Sequence, residues 1–161
     1  MISRERITFR PETEEDTPFV LRLYASTRQP EMDAVPWPAE EKERFVLQQF
    51  EAQRLHYRKY YSDAELLIVQ LDGLPIGRLY LHRTGNDLLI IDISLMPEVR
   101  GQGLGGMLLR EIQDRAAAGE VVSIHVEQFN PALHLYQRLG FVKVKTYGVY
   151  DLMEWRPASA T

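Results

Sequence analysis

The chain has no cysteine among its 161 residues, so it offers neither disulfides nor a thiol nucleophile. It has no N-terminal apolar run of the kind that begins a secretory signal, and no apolar stretch long enough to span a bilayer. No block of lysine and arginine occurs, and the formal net charge is −4, which argues against a nucleic-acid partner. No cluster of His, Asp and Glu has metal-ligand spacing, so no metal is expected. Repeats and low-complexity segments are absent as well. These lacks leave an expectation of one domain over residues 1–161, cytoplasmic, with no membrane contact. The mild acidity is compatible with a cationic amine as ligand.

What the sequence does have is a concentration of glycine. Ile90, Ile91, Ile93 and Leu95 read as a buried strand, and Pro97 ends the ladder because it has no N–H. Gly101, Gly103, Gly105 and Gly106 follow closely. Leu104, Met107, Leu108, Ile112 and Ala116 then fall on one helical face. A glycine in a helix interior costs about 1 kcal/mol relative to alanine. That cost is intelligible if a ligand must approach bare backbone. Free N–H groups at a helix N-terminus, with the dipole behind them, attract anions. Arg100 adds a positive charge. The stretch reads as a pyrophosphate cradle. Gly101, Gly103 and Gly106 satisfy G-x-G-x-x-G, a dinucleotide fingerprint, though four residues, Pro97 to Arg100, precede the turn that this fingerprint places directly after its strand. Arg100, Gly103 and Gly105 satisfy R-x-x-G-x-G.

Around this stretch the chain reads as alternating elements. Ile7–Arg10 is a first strand. Thr13 and Asp16 have capping-box spacing before a helix with Phe19, Val20, Leu23 and Tyr24 on its apolar face. Thr27–Pro38 is expected as a loop. A second helix follows from Pro38 to about Tyr61. Asp72-Gly73 marks a tight hairpin between the strands Glu65–Leu71 and Leu74–His82. Gly85-Asn86-Asp87 turns into the strand Leu88–Leu95. A helix running to about Ala118 leads to a strand at Val121–Glu127. That strand is expected to lie parallel to its neighbour, giving a mixed sheet. Asn130 caps a helix beginning at Pro131, which Gly140 ends. Phe141–Lys145 and Tyr150–Trp155 are the last strands, and Arg156–Thr161 a frayed tail.

Two motifs carry a resemblance. The strand, the Pro-acidic-x-Arg lead-in and R-x-x-G-x-G resemble the acyl-CoA-binding motif of the GNAT (GCN5-related N-acetyltransferase) superfamily. Asn130, Ala132, Tyr136, Gly140 and Phe141 resemble its later signature, N-x-A-x-x-x-Y-x-x-x-G-F. The likeness covers Glu65 to Trp155 and is thin before Asp63. It implies an α/β fold whose mixed sheet splays between two parallel strands, flanked by about four helices. It implies acetyl-CoA in the gap and direct acetyl transfer to a primary amine, either a small molecule or a peptide. By the same resemblance, Leu95 and Met96 would pair with the pantetheine amides through free backbone groups. Arg100, Gly101, Gln102, Gly103, Leu104 and Gly105 would hold the pyrophosphate. Asn130, Ala132 and Leu133 would line the pantetheine arm, and Tyr136 would protonate the departing thiolate. A homodimer is a further expectation from the family.

The acceptor side is less defined. A base must take a proton from the attacking ammonium. Asp92 is the first candidate, because a carboxylate buried among isoleucines would have a raised pKa. Asp87 and Glu127 follow. Trp37, held between two prolines, and Tyr80 are expected to wall the acceptor pocket. Two rival readings stand beside this one: a dinucleotide-binding oxidoreductase, and a non-catalytic acyl-CoA sensor or structural dimer.

Overall fold

A computed structural model describes residues 2–157. From residue 158 onward, the expected tail lies outside them. A 3-10 turn at Arg4–Arg6 opens into β1 (Ile7–Pro11), and a second such turn at Glu14–Asp16 opens into α1 (Thr17–Asp33). Then come α2 (Ala39–Tyr60), β2 (Glu65–Leu71), β3 (Leu74–Thr84), β4 (Asp87–Leu95) and a 3-10 turn at Pro97–Val99. The chain finishes with α3 (Leu104–Arg115), β5 (Val121–Glu127), α4 (Leu133–Arg138), β6 (Val142–Tyr147) and β7 (Tyr150–Trp155). The strands form one mixed sheet in the order β1-β2-β3-β4-β5-β7-β6. Among the described residues, no helix is long and apolar enough to cross a membrane.

Both faces of the sheet are covered, and β2 records this residue by residue. Leu67 and Val69 join the cluster containing Leu104, Leu108 and Ile112 of α3. Ile68 points the other way, to Phe19, Val20, Leu23 and Tyr24 of α1 and Val46 and Phe50 of α2. Strand side chains alternate, so a strand covered twice is apolar throughout. The hairpin between β2 and β3 turns on Asp72 (φ 51°) and Gly73 (φ 82°), the left-handed pair that a two-residue primed turn demands.

Helix α1 departs from the expected boundaries. The loop foreseen over Thr27–Pro38 is helical as far as Asp33, with Pro30 inside it. Pro30 lies on the exposed side, where its missing N–H leaves no buried group unpaired. Ser26 and Thr27 donate to the carbonyls of Leu23 and Tyr24 at 2.6 Å each, and buried Met32 anchors the final turn. Helix α3 stops at Arg115, three residues short of the expected end.

Strand β4 positions the site. It pairs in parallel with β5 only from Asp87↔Val121 to Ile90↔Ile124. Beyond those residues β4 stays with β3 as far as Leu95↔Gly77, while β5 stays with β7 as far as Glu127↔Tyr150. The sheet therefore opens in its middle. The break coincides with a β-bulge. Leu81 faces Ile90 and Tyr80 faces Asp92, so Ile91 is the extra residue. An uninterrupted strand would put Ile90 and Asp92 on one face. With the bulge, Ile90 joins the α3 core while Asp92 shares the α1/α2 face with Arg78 and Tyr80.

Candidate active site at the opening of the sheet

One wall of the opening is the glycine elbow. Gly101 and Gly103 have φ of 78° and 82°, a conformation that a side chain would strain. The first bond returning to the elbow from within α3 is Met107 N–H to the Gly103 carbonyl at 3.2 Å. The N–H groups of Leu104, Gly105 and Gly106 meet no acceptor among the described residues. The later glycines serve packing. A Cβ on Gly105 would lie 3.3 Å from Leu135 of α4. A cavity of about 1300 Å³ runs along the elbow, lined in part by Leu95, Arg100, Gly101, Gly103, Leu104 and Gly105 and, opposite, by Ala132. Free donors, glycines and a positive helix end suit a diphosphate.

Three further cations face this cavity: Arg4, Arg110 and Arg138. Sequence reasoning missed all three. Arg110 follows Gly103 and Met107 on one helical face, and that spacing was the available signal. Arg4 is held from a distance by Glu111 at 3.1 Å, and nothing local announces it.

Two expected roles need correction here. Met96 donates its N–H to the Ile76 carbonyl at 2.8 Å, so that group is not free. The Leu95 carbonyl accepts from Arg100 Nε at 3.0 Å. Only the Leu95 N–H keeps the expected freedom, because ladder alternation turns it away from β3 and into the opening. Gln102 reaches back toward the Glu98 carbonyl and is absent from the cavity wall.

Helix α4, which follows β5, faces the elbow through Leu135 and carries Tyr136 as its next residue. The end of α4 explains why the signature has its spacing. Phe141 N–H bonds to the Tyr136 carbonyl at 3.0 Å, and Gly140 N–H to the Gln137 carbonyl at 3.1 Å. This is the Schellman pattern, with Gly140 at φ 94° and Phe141 packed back on the Tyr136 ring at 6.0 Å. Tyrosine, glycine and phenylalanine are thus one helix stop. Asn130 Oδ1 accepts from Ala132 N–H at 2.9 Å, so the cap is made although regular helix begins only at Leu133. Ala132 and Leu133 pack against the core around Tyr136. The Tyr136 ring is buried, yet its hydroxyl meets no partner among the described residues. Burial, and secondarily the charge of Asp92, push its pKa up to about 12. That coupling puts Asp92 within electrostatic reach of the phenol.

The three acids separate. Asp92 stands beside the opening, but its surroundings are not simply isoleucine. Its Oδ2 accepts from Arg78 and its Oδ1 from Ser94, both at 2.5 Å. Arg78 is only 2 % exposed and also donates to Gln53 at 2.9 Å. Asp92 is therefore paired with a buried guanidinium as well as flanked by isoleucines. Asp87 lies at the closed end, accepting from Ser123 at 2.7 Å. Eight residues of strand separate it from Leu95, roughly 26 Å at 3.3 Å each. That distance removes it from the cleft. Glu127 is exposed at the end of β5 and faces Tyr150.

Trp37 and Tyr80 do not meet in one pocket. Trp37 is 40 % exposed and packs edge-on against Phe45, in a shallow hollow with Glu41 and Arg44. Tyr80 is buried. Its hydroxyl donates to Glu12, and its ring lies under the Arg78 guanidinium, 4.8 Å from the centroid, and edge-on to Tyr57. It lines a separate cavity of about 230 Å³ under the end of α2.

Comparison with known proteins bears on the family and the fold. A family described as "Acetyltransferase (GNAT) domain" matches residues 62–143. No curated protein matches the sequence. Among solved structures, the PaiA N-acetyltransferase of Thermoplasma acidophilum, in complex with coenzyme A, is 19 % identical with a TM-score of 0.70, covering 94 % of this chain and 99 % of that one. An acetyltransferase from Thermus thermophilus is 20 % identical with a TM-score of 0.66, over 92 % and 96 %. The spermidine N-acetyltransferase of Vibrio cholerae, in complex with coenzyme A and spermine, is 20 % identical with a TM-score of 0.61, over 94 % of each.

Proposed function

Because the chain belongs to the GNAT acetyltransferase family, we propose that the opening between β4 and β5 is where it passes an acetyl group from acetyl-CoA to a primary amine, of a small molecule or a peptide. The observation that carries this reading is the pair of walls. Unpartnered N–H groups at Gly105 and Gly106 stand on one side, and a phenol without a hydrogen-bond partner on the other.

Bound acetyl-CoA supplies an activated thioester whose acetyl carbon an amine can attack. The chain's own residues supply the rest. The elbow, with Arg100, Gly101, Gly103, Leu104 and Gly105, holds the diphosphate. Gln102 is left outside this assignment. The Leu95 N–H faces the acyl chain, and Asn130, Ala132 and Leu133 border it. Tyr136 keeps a proton on its hydroxyl at every working pH, since its pKa is pushed up to about 12, and holds it for the departing sulfur. Asp92 takes the proton of the ammonium, reached through the Ser94 hydroxyl that already donates to it. Residues 1–161 form one domain on this reading, placed in the cytoplasm. The exposed β6 edge, with Val142, Val144 and Tyr147, supports association as a homodimer.

Thiol release with a panel of amines tests the reading. Tyr136→Phe should lower kcat about 10²- to 10⁴-fold while leaving the affinity for coenzyme A nearly intact. An unchanged kcat would remove Tyr136 from the chemistry. Binding of acetyl-CoA without thiol release from any amine would favour a sensor.

A further inference from the structure

The small cavity beneath the end of α2 has a chemistry of its own. Arg54, Arg58 and Arg78 line it together with Tyr57, Tyr61 and Tyr80. Glu12 is the one carboxylate in its wall, and it already accepts from Tyr80. Asp92 offsets Arg78 from behind. Three guanidinium groups thus line the cavity against one carboxylate in its wall and one, Asp92, outside it. Arg78 is almost fully buried, and its Nε finds no acceptor among the described residues. A buried guanidinium N–H without a partner is costly. Arg54 lies over the Phe50 ring and reaches Thr17 Oγ1 at 3.3 Å, which leaves most of its fork unused. Arg58, in the last turn of α2, makes no hydrogen bond or ion pair among the described residues.

The cavity also lies in the right place to meet an acceptor. Arg78 and Tyr80 belong to β3, the neighbour of β4, and project on the same face as Asp92. Adjacent strands are about 4.8 Å apart, so the cavity stands roughly 5–10 Å from Asp92 across the sheet. A short methylene chain covers that span, and the tyrosine rings offer it apolar walls.

We propose that this cavity receives the anionic end of the acceptor, so that the substrate is a primary amine bearing a carboxylate a short chain away, not a polyamine. The inference rests on the transferase reading for the amine end alone. A second ammonium seated among three guanidinium groups would meet like charge with no carboxylate free to pair with it. A carboxylate there finds planar, bidentate donors.

A matched set of acceptors of equal length tests this: ω-aminohexanoate, hexylamine and hexane-α,ω-diamine, read by thiol release. The aminohexanoate should show kcat/KM about tenfold or more above the other two. The ratio of aminohexanoate to hexylamine should collapse toward one in Arg58→Glu, through KM, and recover partly in Arg58→Lys. Preference for the diamine, or indifference among the three, overturns the proposal. Hexanoate, which has no amine, probes the cavity apart from the reaction. Calorimetric titration should detect its binding to the unaltered protein and not to Arg58→Glu. Binding of hexanoate with no turnover of any amine would fail the transferase reading and leave the anion pocket standing. Turnover of amines with no binding of hexanoate would do the reverse.

Discussion

Asp16 ties together three stretches of backbone with one short side chain. Its carboxylate accepts from two nitrogens of Arg10 at 2.7 and 2.8 Å and from the Thr13 N–H at 2.8 Å. The Arg10 hydrogen bond, helped by Thr13 and opposed by burial, holds its pKa at about 2. A carboxyl depressed in the folded state stabilises the fold above its unfolded value, near 3.9, and that contribution is lost as pH falls through about 2. Asp16→Ala should therefore cost about 1–2 kcal/mol at neutral pH, from cap and ion pair together. In thermal melts the two proteins should converge as the pH is lowered through this window. A gap that stays constant down to the acid limit would show that the ionised carboxylate is not its source. The capping-box spacing was visible in the sequence because it is local. Arg10 as the partner was not, because only the fold brings β1 alongside that turn.

At the scale of elements, the decisive feature of the site is the one least visible in the sequence. The run Ile90-Ile91-Asp92-Ile93 reads as one unbroken buried strand, and no glycine flags a bulge. Yet Ile91 is unpaired and the strand changes face there. Deleting Ile91 should remove the bulge yet leave Leu81 opposite Ile90 and Tyr80 opposite Asp92, so that Asp92 keeps its face and its partner Arg78, whereas Asp92→Ala strips the buried Arg78 of its carboxylate. Breaking a buried pair typically costs about 3–5 kcal/mol, so a large fall in Tm is expected of Asp92→Ala and not of the deletion. A deletion variant that melts as low as Asp92→Ala would show that the extra residue is needed to seat Asp92 beside Arg78. Arg78 was hidden for the same reason. On a strand alternating Ile76, Arg78, Tyr80, an arginine reads as solvent-facing, and only the covering helix α2 makes it buried. By contrast, the stop of α4 was fully legible. Its tyrosine, glycine and phenylalanine act through bonds five residues long, which the linear order preserves. The persistence of α1 past Pro30 was not legible, since Met32 is anchored by residues distant in the chain.

At the scale of the whole molecule, net charge proved a poor guide to the site. The chain is acidic by four charges, yet the elbow cavity and the cavity under α2 are both lined by arginines. A molecule whose sheet is parted in the middle should gain rigidity from whatever fills the parting. Coenzyme A at a hundredfold its Kd should stabilise the fold by about 2.7 kcal/mol, with the largest gain in amide-exchange protection at the elbow and in β4 and β5 beyond Ile90 and Ile124. Dinucleotides such as NAD should give no shift. Protection confined to distant strands would place the ligand elsewhere. The parting also divides the polypeptide in a simple way. Strands β1 to β4 are consecutive in the chain, as are β5 to β7, and the main chain crosses from one set to the other once, after α3. The cleft is therefore a seam between two unbroken lengths of polypeptide, and each contributes one lip of the proposed catalytic mouth.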